Sequence, residues 1–138
     1  MSDTLYHEAI LALAAAARGA GRLADPDVTV TLDNAFCGDR VILDVKLDGG
    51  SVSALGYSVR GCLLCQAAAS ALWSAAVNAE QDTARGAIEA MRALLAEGAA
   101  PPPSWAAFAA FSPVHGAKSR RRCVLLPFEA LASALQGR

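Results

Sequence analysis

The middle of the chain alternates between apolar and mostly polar residues, and this pattern constrains the fold more than any other feature. Val28, Val30 and Leu32 alternate with threonines, and residues 41–47 repeat the alternation. A period of two is typical of a strand with one buried face. The glycines of "DGG" at 48–50 accept the positive φ of a tight hairpin turn. Residues 28–59 therefore predict a three-stranded antiparallel meander, whose third strand returns from about Val52.

The residues on both sides of the meander have helical patterns. Helices are predicted over residues 4–17, 63–78, 82–97, 105–111 and 123–136. Pro127 then lies near the first turn of the last helix, where proline costs least, and residues 112–122 form a polar, basic loop before it. The order of elements predicts an α+β fold in which helices pack on one face of a three-stranded antiparallel sheet. At this length we expect one domain spanning residues 1–138.

Charge and hydropathy narrow the range of functions. The chain has 12 basic and 13 acidic residues, which gives no electrostatic reason to expect binding to nucleic acid or to an anionic membrane surface. No stretch approaches the roughly 18 strongly apolar residues of a membrane-spanning helix. The first residues, "MSDTLYHEAI", carry an acid where a signal peptide carries positive charge, so we expect a cytoplasmic protein. Cytoplasmic thiols stay reduced, and the four cysteines then favour metal binding or reactivity over disulfides.

The cysteines fall at the predicted ends of elements. Cys37 lies in "NAFCGD", between the first two strands, and Cys62 and Cys65 lie where the third strand meets a helix. Cys123 is predicted to open the last helix, so that it and Cys62 would both be stabilised as thiolates by a helix N-terminus. Gly38 allows a sharp turn that would bring Asp39 back towards Cys37. Thiolates with one carboxylate suit tetrahedral Zn²⁺ or an iron–sulfur unit.

Three blocks of sequence resemble the NifU-N/IscU/SufU family of iron–sulfur cluster assembly scaffolds. "NAFCGD" is similar to that family's N-P-x-C-G-D block, with Ala35 in the place of proline. "YSVRGCLLCQAAAS" is similar to its strand followed by G-C-x-x-S-x-A-S-x-S, with Cys65 where serine is common. "RRRCVLLPFEAL" is similar to the block that opens its last helix. The blocks occur in the family's order over roughly residues 5–135.

The resemblance is closest to the SufU-like branch. Arg122 stands where Isc-type scaffolds have a histidine, and the long segment between Cys62 and Cys123 has room for additional helix. The resemblance implies a SufE/NifU-like fold, and the metal site it implies consists of Cys37, Asp39, Cys62 and Cys123. It implies Zn²⁺ or a transient [2Fe–2S] cluster in that site. It also implies sulfur transfer from a SufS-like cysteine desulfurase, and delivery to apo iron–sulfur proteins or downstream carriers.

Within this hypothesis Cys123 is the expected sulfur acceptor, and Asp39 is the labile hard ligand. An arginine next to Cys123 would lower the pKa of that thiol, so Arg122 is a candidate for tuning it. Cys65 shares a helix face with Cys62, and it either joins the site as an additional thiol or packs as a small apolar side chain.

Two other functions stay open from the sequence. The pair Cys62–Cys65 is also the C-x-x-C of a thiol–disulfide redox protein, although the preceding meander differs from the βαβ unit of thioredoxin-like folds. A structural zinc module that binds a protein partner is the second alternative. Under the leading hypothesis, the protein is expected to be an assembly scaffold or sulfur-transfer protein and not an enzyme in the usual sense.

Overall fold

The structure is a computed structural model that describes residues 7–35 and 38–138. The described part of the chain contains the helices α1 (Glu8–Ala16), α2 (Leu63–Ala76), α3 (Gln81–Glu97) and α4 (Lys118–Leu135), the strands β1 (Val28–Asn34), β2 (Asp39–Asp48) and β3 (Ser51–Arg60), and a 3-10 helical segment (Pro103–Gly116). Part of the predicted first helix, including Thr4, lies outside these residues. His7 caps α1 by accepting a hydrogen bond from the backbone N–H of Ala9.

The three strands form an antiparallel sheet in the order β1-β2-β3, as the alternating pattern predicts. Gly49 has a φ of 62° in the hairpin between β2 and β3. The side chains of one sheet face are buried beneath α2 and α4; they include Val41, Leu43 and Val45. The predicted α+β architecture, with helices on one face of the sheet, is therefore confirmed.

The segment between α1 and β1 wraps around the outer edge of β3 and covers part of the other face of the sheet. The backbone N–H of Gly21 donates a hydrogen bond to the carbonyl of Tyr57 at 2.8 Å. A Cβ at Gly56 would lie only 2.4 Å from the carbonyl oxygen of Gly21, so the close crossing requires glycine in β3. The segment thereby covers backbone groups at this edge of the sheet.

Asp44 joins the same segment to the centre of the sheet. Its side chain is fully buried and accepts hydrogen bonds from the Arg22 guanidinium, the Thr29 hydroxyl and the backbone N–H of Leu23. Burial raises the pKa of the Asp44 carboxyl. The hydrogen bonds and the charge of Arg22 lower it by more than burial raises it, so the net pKa lies below the usual value of 3.8. The carboxylate form is therefore the stable one in the folded state.

Replacing this carboxylate should change both the stability and its pH dependence. We expect Asp44→Ala to lower the free energy of unfolding by roughly 2–4 kcal/mol, because three donors lose a buried acceptor. The contribution is fully present above the unfolded carboxyl pKa and is lost as pH falls through the lower folded pKa. Urea unfolding between about pH 6 and pH 2 should show a larger loss of unfolding free energy for the wild type than for Asp44→Ala. Equal acid sensitivity of both proteins would contradict this assignment.

The last helix differs from the sequence prediction. It begins at Lys118, so residues 118–122 are helical and not a loop, Cys123 lies in the second turn, and Pro127 lies in the helix interior. Lysine and arginine are good helix formers, which explains the earlier start. Pro127 has no N–H to donate to the carbonyl of Cys123, four residues earlier. The prediction that Cys123 stands at a helix N-terminus was therefore wrong.

The 3-10 segment replaces the short predicted helix and carries the aromatic residues into the core. Phe108 and Phe111 are buried, and the Phe108 ring meets Phe128 of α4 edge-on at 5.5 Å. Trp105 stacks on Phe108 at 6.2 Å between ring centroids. Phe108 and Phe111 are therefore core residues, and the partly buried Trp105 packs against that core.

Candidate metal and sulfur-transfer site

Three potential metal ligands converge where the sheet meets the helices. One carboxylate oxygen of Asp39 and the sulfurs of Cys62 and Cys123 all lie within 4.8 Å of one another. Asp39 is 3% exposed and the Cys123 side chain is fully buried, whereas Cys62 is partly exposed. We call this group the donor trio.

Each member of the donor trio is placed by a different element. Asp39 is the first residue of β2 and pairs in register with Asn34 at the end of β1. Cys62 is the N-cap residue of α2, directly after β3, and Cys123 projects from the second turn of α4. Asp39 and Cys62 are 23 positions apart in sequence, and Cys62 and Cys123 are 61 apart. They meet because β3 ends beside the start of β2 and α4 packs against the sheet there.

A hydrogen bond fixes Asp39 against the start of α2. The backbone N–H of Cys62 donates to one Asp39 carboxylate oxygen at 3.1 Å, and the Cys62 sulfur lies 3.6 Å from the other. A Cβ at Gly61 would lie 2.5 Å from the first of these oxygens, so only glycine leaves room for the carboxylate. Gly61 is not among the site residues predicted from the sequence. Its position directly before a cysteine at a strand–helix junction is the signal that could have identified it.

The surroundings of Cys62 lower the pKa of its thiol. A hydrogen bond from Cys123 lowers the pKa of the Cys62 thiol most strongly, and burial raises it. The backbone N–H groups of Cys65 and Leu64 lower this pKa, whereas the charge of Asp39 raises it. The net result is a Cys62 pKa of about 7, against an ordinary value of 9.0. Such a shift is typical of a metal-ligating or reactive thiol.

Alkylation should reveal this shift in the metal-free protein. We expect iodoacetamide to modify Cys62 with a rate midpoint near pH 7, because only the thiolate reacts. The buried Cys65 and Cys123 should be modified far more slowly, as peptide mass spectrometry can resolve. A midpoint near 9 for Cys62 would show that its neighbours do not stabilise the thiolate.

The donor trio fits a tetrahedral metal ion in chemistry and in size. Sulfur and oxygen ligands at about 2.3 and 2.1 Å from Zn²⁺, at tetrahedral angles, are about 3.6 Å apart. The Cys62 sulfur and an Asp39 oxygen are 3.6 Å apart in the structure. Two thiols and a carboxylate also match the soft and hard ligands that zinc and iron–sulfur units accept.

The other residues singled out from the sequence have different positions. Cys37 lies outside the described residues, so its predicted role as a ligand stays a prediction. Cys65 is fully buried in α2 and is not a member of the donor trio, which agrees with packing as a small apolar side chain. Arg122 is exposed on α4, directly before Cys123, and its predicted effect on that thiol stays a prediction. The antiparallel sheet lacks the parallel βαβ unit of a thioredoxin-like redox protein.

Comparison with known proteins assigns the family. Residues 5–102 match the model of the NifU-like N-terminal domain. A NifU-like protein (N-terminal) from Brucella abortus is 32% identical in sequence and superposes with a TM-score of 0.91, over 98% of this chain and 94% of that one. The chain belongs to the NifU-like N-terminal domain family, whose members include iron–sulfur cluster assembly scaffolds.

Two curated relatives belong to the SufU and IscU types. The zinc-dependent sulfurtransferase SufU of Bacillus subtilis is 35% identical over 82 residues, which are 59% of this chain and 55% of that protein. The iron–sulfur cluster assembly scaffold protein IscU of Thermotoga maritima is 36% identical over 66 residues, 48% of this chain and 46% of the relative. The chain thus matches about half the length of these two proteins.

A further solved structure supports the fold. A putative iron–sulfur cluster assembly scaffold protein for the SUF system from Fervidobacterium islandicum is 21% identical, with a TM-score of 0.90 over 99% of this chain and the whole of that one.

Among residues 7–35 and 38–138, no helix is both long and apolar enough to cross a membrane.

Proposed function

We propose that this protein accepts persulfide sulfur from a cysteine desulfurase at a metal site formed by Cys37, Asp39, Cys62 and Cys123. The observation that carries the proposal is the donor trio, in which a carboxylate and two thiols from three separate elements lie within 4.8 Å. The relative from B. subtilis, a sulfurtransferase described as zinc-dependent, supports the transfer chemistry. Cys37 completes a set of four ligands in this proposal.

Sulfur transfer needs a thiolate and no external oxidant or reductant. A thiolate of this protein attacks the terminal sulfur of the persulfide on the desulfurase cysteine. The sulfur–sulfur bond of the donor breaks, a new one forms on the acceptor, and the desulfurase cysteine leaves as a thiolate. Zn²⁺, when bound, supplies the positive charge that keeps the cysteine ligands deprotonated.

Cys123 is the acceptor that we propose from the sequence, and its burial adds a condition. The Cys123 sulfur reaches a donor only after the residues that cover it move, whereas Cys62 is partly exposed. Docking of the desulfurase would supply that movement. If it does not, Cys62 becomes the first acceptor. The position of the first persulfide in the wild-type protein, located by peptide mass spectrometry, distinguishes the two outcomes.

The same ligands suit a nascent [2Fe–2S] cluster as cargo, which would then pass to apo iron–sulfur proteins or downstream carriers. The IscU relative from T. maritima is an iron–sulfur cluster assembly scaffold protein, which supports this second role. A carboxylate binds iron–sulfur units less tightly than thiolate does, so Asp39 would favour release of the cluster.

The direct test mixes the protein with a SufS-type cysteine desulfurase and L-cysteine. We expect faster turnover of the desulfurase and a persulfide on a cysteine of the site, located by mass spectrometry after alkylation. No persulfide on any of the four cysteines, together with unchanged desulfurase turnover, would reject the transfer role. Metal bound in that case would indicate a structural zinc module instead.

A further inference from the structure

A groove of about 520 Å³ opens beside the donor trio, between the corner after β1 and the side of α4. Ala35 forms part of one wall, directly before the segment that holds Cys37. Arg122, the neighbour of Cys123, and the leucines Leu125 and Leu126 line the other wall. Apart from Arg122, which is predicted to act on Cys123, these side chains have no part in the sulfur-transfer chemistry proposed above.

The groove has one basic side chain, Arg122, and two acidic ones. Asp33 binds Arg40 at 2.6 Å, and Glu129 binds Arg92 of α3, which also binds Glu89. Arg122 is exposed, and within the described parts of the chain it has no ion pair and no hydrogen bond from its side chain. Arg122 is therefore the charged group of the groove that can pair with a carboxylate of a partner.

The wall of the groove that α4 forms is partly apolar. Leu126 is 8% exposed and Leu125 is partly buried, and both belong to the face of α4 that continues into the core. An open groove of this size has room for one or two apolar side chains of a partner. Apolar side chains that fill such grooves next to a charged pair are typical anchors of protein interfaces.

We infer that this groove docks a segment of the sulfur-donating partner that carries an apolar anchor beside an acidic side chain. The inference rests on the proposed function, because it identifies how the same site receives its donor. The anchor packs on Leu125 and Leu126, and the acid pairs with Arg122. Since Arg122 precedes Cys123 and Asn34 pairs with Asp39, a segment in this groove lies directly beside the donor trio.

Binding to a purified SufS-type cysteine desulfurase tests the inference. We expect Arg122→Glu to raise the Kd about tenfold or more, because a favourable charge pair becomes a repulsive one. Leu125→Ala should raise the Kd several-fold, with the same metal content as the wild type. Raising the salt concentration should weaken wild-type binding more than that of Arg122→Glu.

Two remote substitutions are matched controls. Arg18 is exposed in a different groove, beside Trp105, and Arg18→Glu makes the same change in charge. Leu11 is the exposed leucine of α1, 47% accessible, and Leu11→Ala removes the same atoms as Leu125→Ala. Both control variants should bind the desulfurase within about twofold of the wild-type Kd.

The outcomes separate this inference from the proposed function. If the wild type binds and stimulates the desulfurase while Arg122→Glu and Leu125→Ala bind with unchanged Kd, the docking inference is wrong and the transfer role stands. If the wild type binds without stimulation and both variants weaken binding, docking stands and the transfer role fails. A wild type that neither binds nor stimulates overturns both. Self-association that the same two variants abolish would assign the groove to a second copy of this chain and overturn the inference.

Discussion

Replacing Asp39 with alanine should remove the metal from the protein. The Asp39 carboxylate is both a member of the donor trio and the acceptor of the Cys62 backbone N–H. Even loss of a residue that only orients a ligand typically costs about 10–100-fold in metal affinity, so loss of a ligand should cost at least 100-fold. Competition with a chromophoric zinc chelator would measure the change. Wild-type affinity in Asp39→Ala would exclude Asp39 as a ligand.

Two further variants separate the functions of Asp39. Asp39→Asn keeps an oxygen that accepts the Cys62 N–H but removes the charge, so the fold should be retained while metal affinity still falls. In the metal-free protein, Asp39→Ala should be less stable than Asp39→Asn by roughly 1–3 kcal/mol, because the buried N–H loses its acceptor.

Cys65→Ser is the matched control in the first turn of α2. It should retain wild-type metal affinity, because Cys65 is not a member of the donor trio.

Gly61→Ala should disrupt the same site without changing any proposed ligand. The added Cβ would lie 2.5 Å from an Asp39 carboxylate oxygen and 2.6 Å from its Cγ, so the carboxylate must move away from Cys62. We expect metal affinity to fall at least tenfold and the free energy of unfolding to fall by about 1–3 kcal/mol, as is usual for overpacking. Gly116→Ala is the control, since a Cβ there meets nothing within 4 Å.

A double-mutant cycle tests the cause of the Gly61 effect. In the Asp39→Ala background the two nearest obstructing atoms are gone, so Gly61→Ala should then cost at least about 0.5 kcal/mol less than in the wild type. Urea unfolding of the metal-free proteins measures all four corners of the cycle. Additive costs would show that Gly61→Ala acts through the backbone and not through Asp39.

The sheet was predictable because its pattern is local. Alternation in β1 and β2 and the glycine turn at 48–50 specify strand faces and register without reference to distant residues, and the observed pairing agrees with them. The site residues Asp39 and Cys62 lie at strand ends that this register fixes. Their approach to one another followed from the meander together with the family resemblance.

The environment of Cys123 was less predictable, because it depends on where α4 begins. Helix starts have weak local signals, and "KSRRR" reads equally as a solvated loop or as the first turn of a helix. The helix propensity of lysine and arginine favours the earlier start, which places Cys123 in the second turn, with a buried side chain. Cys123 is therefore close to Cys62 through packing of α4 and not through a helix N-terminus of its own.

The requirement for Gly61 could not be inferred from one sequence. A glycine before a cysteine has many explanations, and its role becomes visible only when the Asp39 carboxylate is found against its Cα. The docking groove was equally hidden from the sequence, because only the structure shows that Asp33 and Glu129 bind other arginines while Arg122 does not pair with them. Charge balance of this kind depends on three-dimensional neighbours that sequence spacing does not reveal.

X-ray absorption at the zinc and iron edges, on protein purified without air, tests the proposed metal site most directly. We expect one metal site per chain, with a first shell of sulfur ligands and one oxygen ligand, from Cys37, Cys62, Cys123 and Asp39. Bound zinc would be found without acid-labile sulfide. A [2Fe–2S] cluster would be found with one acid-labile sulfide for each iron. A protein that holds neither metal after reconstitution, or a first shell of oxygen and nitrogen alone, would contradict the site.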